Sequence, residues 1–275
     1  MKTITEAPFI TDMVKAANDM WLKGWDERNG GNMSMRLLKE DVHTWELDAL
    51  SVKRGGELPF PMQELAGEYF LVTGSGKYFR NVILDPEDTL GIIAINTDGK
   101  SWSVVWGFSG GANPTSELSA HLMSHSARKE VSQGRDRVVI HTHATNLLAL
   151  TYRYKACTKV FTRKLWEMCT ECLVVFPDGV GVLPWMVPGT DEIGSATASL
   201  MRKHRLVLWP FHGIVGCGST LDETFGLIDT AEKAAEILVK VDSMGGAAYG
   251  MTDKNLRDLA LRFGVTPMEE IICQE

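Results

Sequence analysis

Residues 138–145 read VVIHTHAT, an apolar run that ends in two histidines one residue apart. A short apolar run of this kind predicts a buried strand, in which the side chains at positions i and i+2 point to the same face. His141 and His143 would then stand side by side, with their Cα atoms ~6.5 Å apart. Two interpretations are open from this stretch alone: polar residues that happen to end a strand, or two ligands of one metal ion.

A third histidine favours the metal. His212 follows the predicted strand RLVLWPF (205–211), and Gly213 behind it allows the backbone to turn close to a ligand. Two histidines on a strand and a distant third are typical of a catalytic zinc site, in which the fourth coordination position stays open. The sequence therefore predicts that His141, His143 and His212 hold one divalent cation.

A second group of ionisable residues competes for this role. Glu117, His121 and His125 are spaced four residues apart and share one face of a predicted helix. Histidines at i and i+4 can bind zinc, but the residues between them are Leu-Met-Ser and include no general base. We therefore expect His121 and His125 to occupy a packed or surface face. His43 and His204 belong to no motif and are expected to be exposed.

The residues after His143 test two other metalloprotein families. A metallo-β-lactamase would continue as HxHxDH, whereas this chain continues with Ala144, Thr145 and Asn146. A cupin would place a glutamate shortly after the second histidine, and none is present there. Both families are excluded.

The composition limits the class of protein. A chain of 275 residues, 44% hydrophobic and 23% charged, is long enough for one large domain with a buried core. Its net charge of −7 argues against a nucleic-acid surface. No stretch approaches the ~20 apolar residues of a membrane span, and MKTITEAPFI has no apolar signal core. We expect a cytoplasmic protein without nucleic-acid or membrane partners.

The cysteines indicate reduced thiols. There are five, an odd number, at positions 157, 169, 172, 217 and 273. Cys169 and Cys172 have CxxC spacing, but no second pair follows and no typical redox residues flank them. A single pair is a weak sign of a zinc or redox site, so free thiols are expected.

Strand-like and helix-like segments alternate irregularly along the chain. Helical periodicity and capping residues predict helices over 10–21, 115–130, 190–204, 220–245 and 253–263. Strands are predicted at MSMRL (33–37), YFLVT (69–73), GIIAI (91–95), SWSVVW (101–106), VVIHTH (138–143), ECLVVF (171–176), GVGVLPW (179–185) and RLVLWPF (205–211). Residues 39–67 are expected to be an irregular excursion. Because several strands follow one another without a helix, we predict a mixed sheet with helices on both faces, in a single domain over 1–275.

Two glycine-rich segments are candidate anion sites. Ser75 lies in VTGSGKYFR (72–80), which follows a predicted strand, and Asn29-Gly-Gly-Asn32 forms a second short loop. Free backbone N–H groups in such loops bind phosphate, although each could also be only a tight turn. The first loop is not a nucleotide P-loop, because it lacks the required spacing of glycines. Thr115 and Ser116, at the start of a predicted helix, offer further donors.

These segments together resemble the class II aldolase/adducin family of zinc sugar-phosphate enzymes. The resemblance runs through WLKGWDERNGGN (21–32), VTGSGKYFRN (72–81), PTSEL (114–118), VVIHTHATN (138–146), TECLVVFPDGVGVLPWMVPGTDEIG (170–194), LVLWPFHG (206–213) and TLDETFGLIDTAEK (220–233). Residues 39–67 and the last dozen offer little to compare. The resemblance implies a three-layer α/β/α sandwich around a mixed, mostly antiparallel sheet, assembled as a homotetramer.

The resemblance also implies roles for individual residues. His141, His143 and His212 would bind one Zn²⁺ per subunit, and Glu117 would be the catalytic acid/base. Glu171 would act from a neighbouring subunit. The dihydroxyacetone phosphate half of the substrate would contact the remaining matched positions, which are Asn29, Asn32, Ser75, Gly76, Thr115 and Ser116.

The implied activity is that of a zinc-dependent lyase in rhamnose catabolism. It would reversibly cleave L-rhamnulose 1-phosphate to dihydroxyacetone phosphate and L-lactaldehyde by enediolate-stabilised retro-aldol chemistry. Three alternatives stay open: a related aldolase, epimerase or dehydratase for another sugar phosphate; a non-catalytic assembly module; and a purely structural zinc site. The native metal also stays open, because histidine-rich sites accept several divalent ions.

Overall fold

The computed structural model describes residues 3–268 and 270–272, which form a nine-stranded sheet covered by helices on both faces. The strands are β1 (Asn32–Arg36), β2 (Arg54–Glu57), β3 (Tyr69–Thr73), β4 (Leu90–Ile95), β5 (Ser101–Gly107), β6 (Val138–Thr142), β7 (Val180–Val182), β8 (Leu206–Trp209) and β9 (Gly213–Gly218). Their order is β2-β5-β4-β3-β1-β6-β9-β8-β7, and β7 pairs with β8 in parallel while the other pairs are antiparallel. The expected mixed, mostly antiparallel sheet is confirmed.

The helices divide between the two faces. They are α1 (Pro8–Leu22), α2 (Lys39–Thr44), α3 (Phe79–Val82), α4 (Pro86–Thr89), α5 (Leu118–Val131), α6 (Thr145–Arg153), α7 (Thr158–Met168), α8 (Thr170–Val175), α9 (Asp191–Met201), α10 (Leu221–Ser243) and α11 (Asp253–Phe263). Helices α5 and α9 pack together on one face, while α10 contacts α1, α6, α7 and α8 on the other. The expected three-layer α/β/α sandwich is therefore confirmed.

Alternation within the strands separates the two cores. In β6, Val138 and Ile140 join the core beneath α1 and α10, whereas Val139 joins the core beneath α5 and α9. All three side chains are fully buried. Burying one such aliphatic side chain contributes about 1.5–3 kcal/mol, so the pattern fixes which face of β6 meets which helices.

Residues 171–176 correct the predicted strand ECLVVF. The segment from Thr170 to Val175 is helix α8, and its buried positions Cys172, Leu173 and Phe176 recur at helical spacing. The pattern of a short apolar run does not by itself distinguish a strand from a helix. Here the segment is helical because its apolar side packs on α7 and α10. The next predicted strand shortens to Val180–Val182, which pairs with β8.

Several elements lie outside the predicted set. Helices α6 and α7 occupy residues 145–168, and β9 adds a strand with the glycine-rich sequence GIVGCG. The excursion 39–67 contains α2 and the edge strand β2, which pairs with β5. Helix α5 begins at Leu118, three residues after the predicted start.

The remaining histidines and the cysteines complete the comparison. His43 is exposed as expected, but the prediction for His204 is wrong: its ring is buried, and Nδ1 donates to the carbonyl oxygen of Asp178 at 2.5 Å. Cys157, Cys169, Cys172 and Cys217 are free, while Cys273 lies outside the described residues.

The length and hydropathy of the helices show whether any of them could span a membrane. Within residues 3–268 and 270–272, none is both long enough and apolar enough to cross a bilayer.

Candidate metal centre and active site

The candidate site lies at one edge of the sheet, where the central strand β1 begins and its neighbours β3 and β6 end. Strand β1 pairs antiparallel with β3 on one side and with β6 on the other, so its first residue is level with the last residues of both neighbours. Asn32 is paired with His141 in this register. Directly paired residues point to the same face, so the Asn32 side chain and the His141 imidazole lie together.

Three imidazoles converge at this edge. Single nitrogen atoms of His141, His143 and His212 all lie within 4.8 Å of one another. Their ring centroids are 4.7 to 5.3 Å apart. His141 and His143 come from the end of β6, and His212 comes from the turn between β8 and β9. The structure thus brings together His141 and His143, which the strand periodicity had paired, and His212, which was predicted as the third ligand.

Hydrogen bonds fix which nitrogen of two rings is free. His141 Nδ1 donates to the carbonyl oxygen of Ile214 at 3.1 Å, which leaves a lone pair on Nε2. His143 Nδ1 donates to the Glu27 carboxylate at 2.9 Å, which again leaves Nε2 free. Metal-binding histidines typically donate their second ring nitrogen to a carbonyl or carboxylate, because this orients the ring and raises its basicity.

Burial favours the neutral form of His141 and of His212. Loss of solvation holds the pKa of His141 well below its ordinary value, and the neighbouring His143 adds to the effect. Burial likewise lowers the pKa of His212 to about 4, with His141 as a further cause. His141 Nε2 and His212 Nδ1 are buried without a hydrogen-bond partner among the described residues. Neutral rings with unpartnered nitrogens fit a divalent metal ion.

Two glycines let the backbone pass close to these rings. A Cβ at Gly213 would lie 2.4 Å from the carbonyl oxygen of Thr142 and 3.0 Å from His141 Cε1. A Cβ at Gly30 would lie 2.9 Å from His143 Cε1. Because real Cβ atoms essentially never approach below 3.0 Å, both positions need glycine if the rings are to keep their places.

Glu117 places a carboxylate beside the cluster. It occupies the N-cap position of α5 and is buried, and its Oε2 lies 3.8 Å from His141 Nε2. Asn32 Nδ2 donates to the same oxygen at 2.8 Å. A carboxylate at this place can take a proton from, or return one to, a group bound between it and the histidines.

The Ser75 loop is joined to the segment that carries Thr115 and Ser116, which leads into Glu117. Gly74 forms a β-bridge with Pro114, and Ser75 N donates to the carbonyl oxygen of Asn113 at 2.8 Å. The N–H of Thr115 donates to the carbonyl oxygen of Thr73 at 2.9 Å. Residues 74–76 and 113–116 therefore lie side by side.

The exposure of the predicted contact residues differs. Four of them are exposed, and they are Asn29, Ser75, Gly76 and Ser116. Thr115 is buried, and its hydroxyl accepts a hydrogen bond from the N–H of Glu117. Asn32 is also buried, and its side chain is bonded to Glu117 and His121.

Glu171 is not part of this cluster. It lies on α8 and is exposed, and its carboxylate accepts from Cys169 Sγ at 2.7 Å and from the Thr170 hydroxyl at 3.0 Å. Among the described residues, no hydrogen bond or ion pair joins it to the histidines or to Glu117.

Three further side chains at this edge were not predicted as site residues. Glu27 orients His143, Ser34 lies behind Asn32, and Asp26 accepts a hydrogen bond from the Thr142 hydroxyl at 3.0 Å. Burial raises the pKa of Asp26 to about 8. The sequence offered one signal for these residues: Asp26 and Glu27 lie within WDERNGGN (25–32), and Ser34 follows it closely. Residue spacing alone does not show that this loop folds back onto the histidines.

Comparisons with known proteins agree in family. Residues 11–239 match the model of the class II aldolase and adducin N-terminal domain. A "rhamnulose-1-phosphate aldolase" of Pectobacterium atrosepticum is 58% identical over 269 residues, which cover 98% of each chain. Another of that name, from Mannheimia succiniciproducens, is 58% identical over 99% of this chain and 100% of the relative. The crystal structure of a "sugar-phosphate aldolase" from Thermotoga maritima is similar with a TM-score of 0.75 and 31% identity, covering 87% of this chain and 97% of that one.

Proposed function

The chain belongs to the class II aldolase and adducin family, and on that basis we propose that it reversibly cleaves L-rhamnulose 1-phosphate to dihydroxyacetone phosphate and L-lactaldehyde. It is a metal-dependent aldehyde-lyase of rhamnose catabolism, with residues 1–275 acting as one domain in the cytoplasm. The observation that carries the proposal is the cluster of three imidazoles beside Glu117, in a chain 58% identical to a protein named "rhamnulose-1-phosphate aldolase".

The metal would be held by His141, His143 and His212, and we propose Zn²⁺, one ion per subunit. The free Nε2 atoms of His141 and His143 support this ligand set, as do the hydrogen bonds that orient both rings. When bound, such an ion supplies a Lewis acid that stabilises negative charge on the ketose oxygens as the C3–C4 bond breaks. All further steps depend on this chain's own side chains.

Glu117 is the proposed acid/base. In cleavage, the C4 hydroxyl gives its proton to water, and the C3–C4 bond breaks so that its electron pair stays on C3 while the aldehyde leaves. Glu117, as a carboxylic acid, then gives a proton to C3 and becomes a carboxylate. In condensation, Glu117 as a carboxylate removes that proton again. Its buried N-cap position supports this role. A carboxylate that is already held in place near the substrate avoids the entropy cost of bringing the two groups together during the reaction.

The joined loops are the proposed phosphate site. The exposed hydroxyls of Ser75 and Ser116 and the backbone of Gly76 would hold the phosphate, with Asn29 from the loop before β1. Phosphate bound there would fix C3 near Glu117, and the bridge between Gly74 and Pro114 keeps the two loops together. Thr115 and Asn32 would support the site from their buried positions.

The activity is tested by release of dihydroxyacetone phosphate from L-rhamnulose 1-phosphate, with and without a chelator. Cleavage should stop after chelation and return with Zn²⁺. Glu117→Gln should keep its metal but lose ~10²–10⁴ in turnover, the usual contribution of general acid/base catalysis. L-Fuculose 1-phosphate serves as the matched substrate control. Undiminished cleavage by the metal-free protein, or a better rate with the control substrate, would contradict the proposal.

The proposed assembly is a homotetramer in which Glu171 serves a neighbouring subunit's site. Exposed aromatic rings beside His212 support an interface there: Tyr152 is 75% exposed and Phe211 47% exposed, and their rings are in contact. Light scattering should give four times the 30.4-kDa chain mass. Mixed assemblies of Glu117→Gln and Glu171→Ala chains should recover activity that neither variant has alone. A monomer, or no recovery on mixing, would remove the shared-site role.

A further inference from the structure

A buried hydrogen-bond chain runs away from Glu117 into the protein. Asn32 Nδ2 donates to Glu117 Oε2 at 2.8 Å, and Asn32 Oδ1 is hydrogen-bonded to His121 Nε2. His121 Nδ1 lies 2.6 Å from the Ser34 hydroxyl, which in turn lies 2.8 Å from His125 Nε2. All five residues are buried.

Hydrogen-bond donation can run in one of two directions along this hydrogen-bond chain, either toward Glu117 or away from it. Each neutral imidazole carries one N–H, and the Ser34 hydroxyl can donate to one ring only. Loss of solvation lowers the pKa of His121 to about 4 and holds that of His125 well below its ordinary value, so both rings are neutral near pH 7. Once the donor and the acceptor of one hydrogen bond are assigned, those of the other three follow.

The unpartnered Nδ1 atom of His125 selects between the two directions, because only one of them leaves that atom without a proton. A carboxylate can only accept, so Asn32 must turn its NH₂ group toward it and its oxygen toward His121. His121 then carries its proton on Nε2, Ser34 donates to His121 Nδ1, and His125 donates from Nε2 to Ser34. The reverse direction would require a carboxylic acid at Glu117 and would leave a buried N–H without a partner at His125 Nδ1. Unpaired buried donors of this kind are costly.

We propose that Ser34, His121 and His125 are positioning residues that fix the Asn32 amide so that it always donates to Glu117 Oε2. This inference rests on the proposed function of Glu117. Oε2 is then kept as an acceptor. Within the described residues no hydrogen bond reaches Oε1, so Oε1 is the atom that carries the proton exchanged with C3. The Asn32 amide also blocks proton transfer from Glu117 to His121, because an amide does not readily accept a proton and pass it on.

Paired serine variants test the chain. Ser34→Ala removes the hydroxyl that fixes the His121 tautomer, two hydrogen bonds behind Asn32. We expect kcat for cleavage to fall about 10-fold, at the low end of the usual loss for an orienting partner, with KM and metal content unchanged. Ser124→Ala is the matched control, because Ser124 is also fully buried but its hydroxyl has no partner among the described residues. Equal kcat in both variants would overturn the proposal.

Paired histidine variants provide a second test that does not depend on Ser34. His121→Gln keeps a donor that can reach Asn32 Oδ1, whereas His121→Leu removes it. We expect His121→Gln to retain clearly more of kcat than His121→Leu. A structural role without any effect on Glu117 would instead lower the melting temperature of both variants and leave kcat alike, and that result would refute the proposal.

The tautomers can be read directly from ¹⁵N NMR of histidine-labelled holoenzyme. We expect His121 and His125 as neutral Nε2–H tautomers that stay unchanged between pH 6 and 8. An Nδ1–H tautomer, or a ring that titrates, would contradict the assigned direction. Glu117→Gln in the same kinetic assay separates the two ideas: if it is active, the proposed acid/base fails, whereas an inactive Glu117→Gln beside a fully active Ser34→Ala removes the positioning role alone.

Discussion

Gly213→Ala places one methyl group against the cluster of His141, His143 and His212. The added Cβ would lie 2.4 Å from the carbonyl oxygen of Thr142, 3.0 Å from His141 Cε1 and 3.1 Å from His143 Cδ2. Ordinary contact with a Cβ begins at 3.4 Å, so β6 and β9 must separate locally by about 1 Å. The backbone oxygen cannot swing aside as the end of a flexible side chain can.

This displacement is large for a metal site. Ligand distances must be kept within about 0.2 Å, and the new methyl group touches two ligands and directly follows the third. We expect Gly213→Ala to lose at least about 10-fold in Zn²⁺ affinity, by analogy with the loss of orienting partners. Overpacking should also cost the metal-free protein about 1–3 kcal/mol of unfolding free energy.

Competition for Zn²⁺ with a chromophoric chelator measures the affinity, and urea unfolding of the metal-free protein measures the stability. Gly226→Ala in α10 is the control, since a Cβ there meets nothing within 4 Å. It should bind zinc normally and gain about 0.5–1 kcal/mol, the usual gain when alanine replaces glycine in a helix. Wild-type zinc affinity in Gly213→Ala would refute the reasoning, because the strands would then have absorbed the methyl group without moving the rings.

Three further changes test separate parts of the site. Ser75→Ala should raise KM for the phosphorylated ketose with little change in kcat, and an unchanged KM would place the phosphate elsewhere. Glu27→Gln should weaken Zn²⁺ binding by about 10-fold, the low end for a lost orienting carboxylate, because Glu27 is 71% exposed in its side chain; equal affinities in the chelator competition would count against this. Burial raises the pKa of Asp26 from 3.8 to about 8, so the folded state binds the extra proton between these values and its stability falls as pH rises through them. In urea unfolding between pH 6 and 8, the unfolding free energy of Asp26→Asn should fall less steeply with pH than that of the wild type, by up to ~1.4 kcal/mol per pH unit. Parallel pH dependences for the two proteins would show that Asp26 is ionised in the folded state.

The elements that could be predicted are those with a local cause. Helix α10 begins where Thr220 accepts a hydrogen bond from Glu223 N, and α11 ends at Gly264 in a left-handed conformation, and both signals are visible in the sequence. Strand β9 has no such signal, because three of its six residues are glycine. It is a strand because β6 and β8 hydrogen-bond to it from both sides, which is a non-local cause.

Two of the proposed metal ligands, His141 and His143, could be predicted from the sequence because their signal is also local. The spacing of His141 and His143 places both rings on one face of any strand, whatever the rest of the fold. Their orientation was not accessible, since it depends on Glu27, in a loop that is 116 positions away in sequence. The buried role of His121 and His125 was likewise hidden, because a helix face at four-residue spacing can pack on the sheet or face solvent equally well.

The register of β1 determines which of its residues face the proposed acid/base, Glu117. In NMSMR (32–36), Met33 and Met35 enter the core beneath α1 and α10, so Asn32 and Ser34 must face α5. A shift by one residue would turn both methionines toward the metal site and the two polar residues into an apolar core. Losing the burial of each methionine would cost about 1.5–3 kcal/mol. Leaving each polar side chain unpaired would cost about 1–3 kcal/mol more. The alternation that stabilises the sheet is therefore also what brings Asn32 to Glu117.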